Sequence, residues 1–480
     1  MTSEKSSSRT FATRFLFCMA AMLLILAAGC APKGPLPGQR IAGAPVADLL
    51  ELSQDPRDYV SNDASTSLGS ERQHELYEKY LTRFFGPWRM TKSAHTAREA
   101  LWGLERYGSQ PGYGENTLRR GPEFMDELRR ESRPEAFPSE ARRAITLRNT
   151  SMRVLPTNRP YFEDFDKAGE GFPFDYFQNT AVWVGTPVFI SHVSASKAWL
   201  YAETAFASGW VPAEDVAFVS DSFVDEYQTG DYAALVEDDV PVTDPGGRYV
   251  FTAHVGAVFP RFGHEDAASA GGYDVMVPVA DTEGNAVIKM ARLKPTDAVV
   301  MPLTFTSRNM AEVARVMVGR EYGWGGLYED RDCSSLLKDL FTPFGVWLPR
   351  NSRQQSKVGV ATELKDLDRE AKKERIIAEG LPFRSLLHMP GHIMLYLGER
   401  EGEPIVLHAV WGLRTKSEEG AEGRKIIGRA AITTTSPGME LELVQRSGYD
   451  LLTRIDIMND PLARRAPKTE QDATAGKDGQ

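Results

Sequence analysis

The chain has 480 residues, 42% of them apolar and 25% charged, with a formal net charge of -10. That length allows roughly three domains, each with its own core, and the composition is ordinary for globular protein. The acidic balance argues against a nucleic-acid partner.

Lys5, Arg9 and Arg14 form a basic start, Phe15 to Ala28 is an apolar run, and Gly29 and Cys30 follow. Residues 1–29 read as a secretory signal, too short to favour a lasting transmembrane helix. The ending LAAGC resembles the lipobox of bacterial lipoproteins, although Ala27 stands where that pattern prefers Leu. The resemblance implies lipidation at Cys30. With Ala31 rather than Asp next, it also implies the periplasmic face of the outer membrane in a Gram-negative cell. The competing reading is ordinary signal-peptide cleavage with Cys30 incidental. No second long apolar run follows, so membrane contact rests on the lipid.

Residues 30–46 are rich in Pro and Gly and read as a tether. From 47 to 143 the pattern is helical. Leu76, Tyr77, Tyr80, Leu81, Phe84 and Phe85 recur at helical spacing before Gly86-Pro87, and a second helix is expected over Ala97, Ala100, Leu101 and Leu104. From 144 to 304 short apolar stretches alternate with turn residues, the texture of small β-barrels. Residues 144–222 resemble a bacterial SH3-like domain, and 223–304 look like a second, divergent copy. Residues 305–460 form the last domain, and 461–480 a polar, disordered tail. The charge-dense stretch 362–380 reads as a solvated helix or insertion. The fold class expected is multidomain α+β.

The chain has three cysteines, and Cys18 and Cys30 fall in the export segment. Cys333 is then a lone thiol in an exported body, with no disulfide partner. A helix is expected over 309–319, then the loop Tyr322-Gly-Trp324-Gly-Gly, then Asp332-Cys333-Ser334-Ser335 leading into a second helical repeat. Cys333 at a helix start would feel unpaired N–H groups that lower a thiol pKa and hold an oxyanion. Residues 391–398 and 404–410 read as paired strands. A symmetric hairpin centred near Arg400 would pair His392 with His408 on one face. His392 then faces Cys333 as base, and His408 orients it. His388 and His392 have metal-like spacing, but Pro390-Gly391 breaks the helix such a site needs, so no metal is expected. His74, His95, His192, His254 and His264 are scattered and are given no role.

The set YGWGG, DCSS, LPRNSRQQS, GHIMLYLG and LHAVWG resembles the NlpC family of papain-like cell-wall cysteine peptidases, over the last third of the chain. The layout resembles a lipoprotein subgroup with a helical stabilising domain, two SH3-like domains and a catalytic domain. The resemblance implies Cys333 as nucleophile, His392 as base, His408 as the orienting residue and Tyr322 beside the oxyanion. Asp332, Ser334, Arg350, Asn351, Ser352 and Trp324 match positions implied in substrate binding or groove shape. It further implies cleavage of peptidoglycan stem peptides between γ-D-glutamate and an L-diamino acid such as meso-diaminopimelate, without a cofactor; a monomer is expected.

Two positions depart from the family pattern. Ser335 stands where Gly is common. Asn351 stands in PRNS where relatives that recycle free stem peptides resemble PRDS, with an Asp that pairs the free L-alanine amine. A neutral Asn cannot offset a buried ammonium as a carboxylate does, which favours intact peptidoglycan as substrate. The first SH3-like domain either binds the wall or narrows the catalytic groove, with Tyr176, Gln178 and Trp183 as junction residues. A retired, wall-binding lipoprotein and an acyltransferase on lipid are the alternatives from other classes.

Overall fold

The computed structural model describes residues 44–61, 68–109, 112–263 and 271–464. Cys18, Cys30 and His264 lie outside them. Among the described residues no helix is long and apolar enough to cross a membrane.

The helix Ser70–Phe84 buries Gln73, Tyr77, Tyr80 and Phe84, one stripe at helical spacing, and ends ahead of Gly86-Pro87. The expected second helix is two pieces, Ala97–Ala100 and Trp102–Gly108, because Leu101 leaves helical geometry between them. These helices do not close on a core of their own. Tyr80, Phe84, Phe85 and Trp88 share a core with Ile145, Tyr227 and Tyr232 of the β-domains. Leu104, Tyr107 and Leu128 share another with Phe177, Tyr201 and Trp210. Each such buried side chain contributes about 1.5–3 kcal/mol, so the helices are held by the β-domains they cover. The folded body already includes Val46, which is buried with Leu413 and Val444.

Seven strands between Arg142 and Phe218 form one antiparallel sheet. Strands between Tyr232 and Val300 form a four-stranded and a three-stranded sheet. The last domain carries a six-stranded antiparallel sheet made of β1 (Val360–Glu363), β2 (Leu386–Met389), β3 (His392–Arg400), β4 (Glu403–Lys416), β5 (Glu422–Thr434) and β6 (Ile457–Asp460). The spatial order is β1-β6-β2-β3-β4-β5. Thr306 caps the helix Ser307–Met317. The helix Cys333–Phe341 buries Leu336, Leu337, Leu340 and Phe341 in a core with Leu395, Leu407 and Ala409. The charge-dense stretch becomes β1 and the helix Arg369–Glu379. Its Lys372 is buried and donates to the carbonyls of Thr453 and Ile455.

Candidate active site

Cys333 is the first residue of its helix, and Asp332 caps it. Asp332 Oδ1 accepts from Ser335 N at 2.9 Å while Ser335 Oγ accepts from Asp332 N at 2.9 Å. Ser335 therefore completes a capping box, which accounts for a serine at that position. Asp332 also accepts from Arg350 Nη1 at 3.1 Å, from Arg350 Nη2 at 2.6 Å and from Gly325 N at 3.1 Å. Burial opposes the charge on Asp332, but Arg350 outweighs it and holds the carboxyl below its usual range. Arg350 is engaged throughout: its Nε donates to Thr180 Oγ1 at 2.7 Å and its Nη1 to Ser334 Oγ at 2.8 Å. Asp332, Ser334 and Arg350 thus bind one another and a strand of the first β-domain.

Cys333 is 9% exposed, and the backbone N–H groups of Ile393 and Ser334 face its sulfur and favour the thiolate. The expectation of a lowered thiol pKa is reversed. Burial, then the neighbouring Asp332 carboxylate, pushes it up to about 12, and the helix-start N–H groups offset this only in part.

Pro390 and Gly391 turn the chain between β2 and β3, so that Met389 pairs with His392. His392 Nε2 lies 2.7 Å from His408 Nδ1, and His408 Nε2 lies 3.1 Å from Thr433 Oγ1. The three residues stand on three consecutive strands. Burial pushes His392 down to about 4; burial, then the His392 ring, takes His408 well below its ordinary value. Both rings are neutral at neutral pH. Among the described residues no hydrogen bond joins the Cys333 thiol to the His392 ring; catalytic contacts often tighten only when substrate is bound. Ile393, the next residue along, is the point where β3 meets Cys333.

The β3–β4 register differs from the expected one. Arg400 pairs with Glu403 across a two-residue turn whose Glu401 and Gly402 both have positive φ, and Leu395 pairs with Leu407. A symmetric turn centred on Arg400 would need sums two or three residues lower. The Glu-Gly pair supplies the left-handed geometry that a tight hairpin needs. Continued from Leu395, the register sets His392 diagonal to His408 rather than opposite it. The two stay on one face because the shift is even.

The cleft above Cys333 encloses about 540 Å3. Trp102 and Tyr107 wall it from the N-terminal helices, Tyr176, Gln178 and Phe206 from the first β-domain, and Tyr322, Trp324, Asn351 and Ser352 from the last. Tyr322 is buried, which raises its pKa, and its ring lies tilted against that of Trp411, 6.0 Å between centroids. Trp324 meets Phe174 at 5.2 Å and Tyr176 at 6.1 Å. Asn351 caps the short helix Ser352–Gln355 by accepting from Arg353 N at 3.0 Å. Gln178 donates to the Gly325 carbonyl at 3.1 Å, and Trp183 donates to Asp339 Oδ2 at 3.0 Å, so both junction residues reach the last domain.

The loop glycines are dictated by this approach. Gly325 and Gly326 have φ of 60° and 81°. A Cβ on Gly325 would lie 2.5 Å from the Gln178 carbonyl oxygen, and one on Gly326 would collide with the Ala181 backbone N.

Sequence reasoning missed a buried charge cluster beside the site. Arg331 donates to Asp238 at 2.8 and 2.9 Å and to Asp339 at 2.8 Å. His254 lies 2.7 Å from Glu329 and 3.7 Å from Asp238. Burial works against charge on His254, but Asp238 and Glu329 prevail and raise it to about 9. The one signal was position: Arg331 is a charged residue two places before the cysteine. Among the described residues no group of three or more His, Cys, Asp or Glu side chains is placed to hold a metal ion. His388 is bound to Asp456 at 2.6 Å.

Four sequence families match the chain in order. They are an NlpC/P60 N-terminal stabilising domain over 16–137, an SH3 domain of SH3b1 type over 160–212, an SH3 domain of SH3b2 type over 220–263, and the NlpC/P60 family over 319–419. Residues 319–419 form a domain of the NlpC/P60 family. The NlpC/P60 match spans Tyr322, Cys333, Arg350, His392 and His408, so the thiol stands in the domain of a cysteine peptidase. An NlpC/P60 endopeptidase from Photobacterium damselae subsp. piscicida shares the fold: 24% identity, TM-score 0.77, over 90% of this chain and 100% of that one. An NlpC/P60 family protein from Bacillus cereus aligns over 60% of this chain and 98% of its own, at 14% identity and TM-score 0.39. A comparison with curated proteins gives no significant match. The architecture is a helical stabilising segment, two SH3-like domains and an NlpC/P60 peptidase domain, as the resemblance implied.

Proposed function

We propose that this NlpC/P60 peptidase is a peptidoglycan hydrolase that cuts stem peptides at the γ-D-glutamyl–L-diamino acid bond, with Cys333 as nucleophile. The observation that carries the reading is a thiol at a capped helix start, at the floor of a cleft, beside a strand whose first residue is a histidine bonded to a second histidine. His392 Nδ1, the ring nitrogen not engaged by His408, takes the thiol proton as sulfur attacks the γ-carbonyl. Backbone N–H groups at the helix start, with Tyr322 beside them, hold the oxyanion. His392 then returns the proton to the departing amine. A water activated by the same nitrogen cleaves the acyl-enzyme and frees the thiol. Burial keeps both partners neutral until attack, so His392 acts as a general base rather than as half of a standing ion pair.

The cleft lining favours glycan-linked stem peptides. Asp332 is the only carboxylate among the described lining residues, and Arg350 holds it. With Asn351 neutral, a free L-alanine ammonium finds no counter-charge there, whereas an amide nitrogen needs none. The other reading, a recycling peptidase on free stem peptides, is separated by substrate. Residues 31–480 would be incubated with diaminopimelate-type sacculi, defined muropeptides and free L-Ala-γ-D-Glu-diaminopimelate. Mass spectrometry locates the cut, with Cys333→Ser as control. Faster cleavage of the free peptide overturns the glycan-linked reading. No cut by folded protein on any substrate points to a wall-binding lipoprotein instead.

The same proposal places the protein in the cell envelope, as a monomer tethered by lipid on Cys30. The small residues before Cys30 support this reading. Labelling with a fatty-acid probe that persists in Cys30→Ala would sink it.

A further inference from the structure

We propose that Thr433 is a positioning residue that selects the base-competent tautomer of His392, acting through His408. This rests on the reading of His392 as general base and extends it to a residue two strands away. A neutral imidazole carries one N–H and one lone pair, and the partner of one nitrogen decides which is which. Desolvation holds His392 and His408 neutral, so their tautomers, not their charges, decide what His392 offers the thiol.

The chain of hydrogen bonds is closed at one end. Thr433 Oγ1 lies 2.7 Å from the Thr434 carbonyl oxygen, which only accepts, so the hydroxyl proton is spent there. Thr433 Oγ1 then faces His408 Nε2, 3.1 Å away, with a lone pair, and that nitrogen must carry its proton. His408 Nδ1 is left with a lone pair and accepts, over 2.7 Å, from the N–H of His392 Nε2. The remaining nitrogen, His392 Nδ1, is the lone pair that a base requires. If Thr433 donated to His408 instead, every proton in the row would shift. His392 would then present an N–H to the thiol, and the Thr434 carbonyl would lose its donor. Thr433 and His408 are fully buried, so water does not substitute for either partner.

The geometry follows from the sheet. Val406 pairs with Thr433 and His408 with Ala431, so Thr433 is diagonal to His408 on the same face, as His408 is to His392. The row runs obliquely over β3, β4 and β5, each partner offset by one pleat.

The test is the tautomeric state read by nitrogen-15 histidine spectra of the folded chain from residue 31, together with turnover of a muropeptide. Wild type should show His408 and His392 protonated at Nε2. Thr433→Val, which keeps the shape and removes the acceptor, should lower kcat about tenfold or more with KM unchanged, and Thr433→Ser should restore it. A His408 protonated at Nδ1 in wild type, or a folded Thr433→Val with wild-type kcat, overturns the proposal. The wild-type spectrum needs no variant to fold. If wild type cleaves nothing, the function reading fails while the tautomer measurement still decides this one.

Discussion

The guanidinium of Arg331 donates two hydrogen bonds to the carboxylate of Asp238, one of 2.8 Å and one of 2.9 Å. Arg331 belongs to the peptidase domain and Asp238 to the second SH3-like domain, so a β-domain distant in sequence grips the segment that leads into Cys333.

Removing that grip should be expensive. The Asp238 and Arg331 side chains are 3% and 6% exposed; removing one member of a buried ion pair costs about 3–5 kcal/mol when the other is left unpaired, an upper bound here because Arg331 keeps its bond to Asp339. Asp238→Asn should lower the unfolding free energy by up to that much in urea titrations. It should also lower kcat, since Arg331 sits next to the Asp332 cap. A variant with wild-type stability and turnover would show the pair to be dispensable.

The thiol pKa near 12 and the His392 pKa near 4 give a distinctive pH signature. A standing thiolate alkylates at a constant rate over the neutral range; a buried neutral thiol does not. Iodoacetamide should therefore react slowly with Cys333 at neutral pH and faster as pH rises. The acid limb of kcat/KM should lie near pH 4, where His392 protonates and is lost as base. An alkylation rate that levels off on the acid side of neutrality would contradict this.

Stability should fall on both sides of neutrality, for opposite reasons. His392 and His408 have depressed folded pKa values, so their contribution is present above the unfolded histidine value of about 6.5 and is lost as pH falls. His254 is raised to about 9, so its contribution is full below about 6.5 and is lost as pH rises through 9. Thermal scans should show Tm declining in both directions. His254→Gln should flatten the alkaline side alone, and His408→Asn should soften the acid side. An unchanged alkaline limb in His254→Gln would remove the histidine as its cause.

Asn351→Asp should change substrate preference without harming the fold. Asp caps a helix as well as Asn does, so the turn before Ser352–Gln355 survives. A carboxylate there supplies the counter-charge that a free L-alanine amine lacks. The ratio of free-peptide to muropeptide cleavage should rise severalfold; an unchanged ratio would show that position 351 does not read the amine.

What the sequence made legible was local. The YGWGG and DCSS motifs located the Cys333 helix, and alternation placed His392 and His408 on strands of one face. The hairpin register was set two or more residues away from the expectation because the turn lies at Glu401-Gly402, a choice made by backbone geometry within a loop where several centres look alike. The thiol pKa reversed sign because the depth of burial, which no motif encodes, outweighs the helix start. Asp238, His254 and Thr180 are individually ordinary residues scattered through two other domains, and Glu329 is an ordinary residue of the last one. Their meeting around Arg331 and Arg350 is a property of the assembled chain.

The two glycines pressed against Gln178 and Ala181 bear on how this protein varies. Because the first SH3-like domain occupies the space a methyl group would need, the peptidase loop and that strand can change only in concert. Exchanging the SH3-like domain for one of different contour would crowd or open the floor around Cys333 before it altered any distant wall contact. The peptidase loop and its neighbour share one floor.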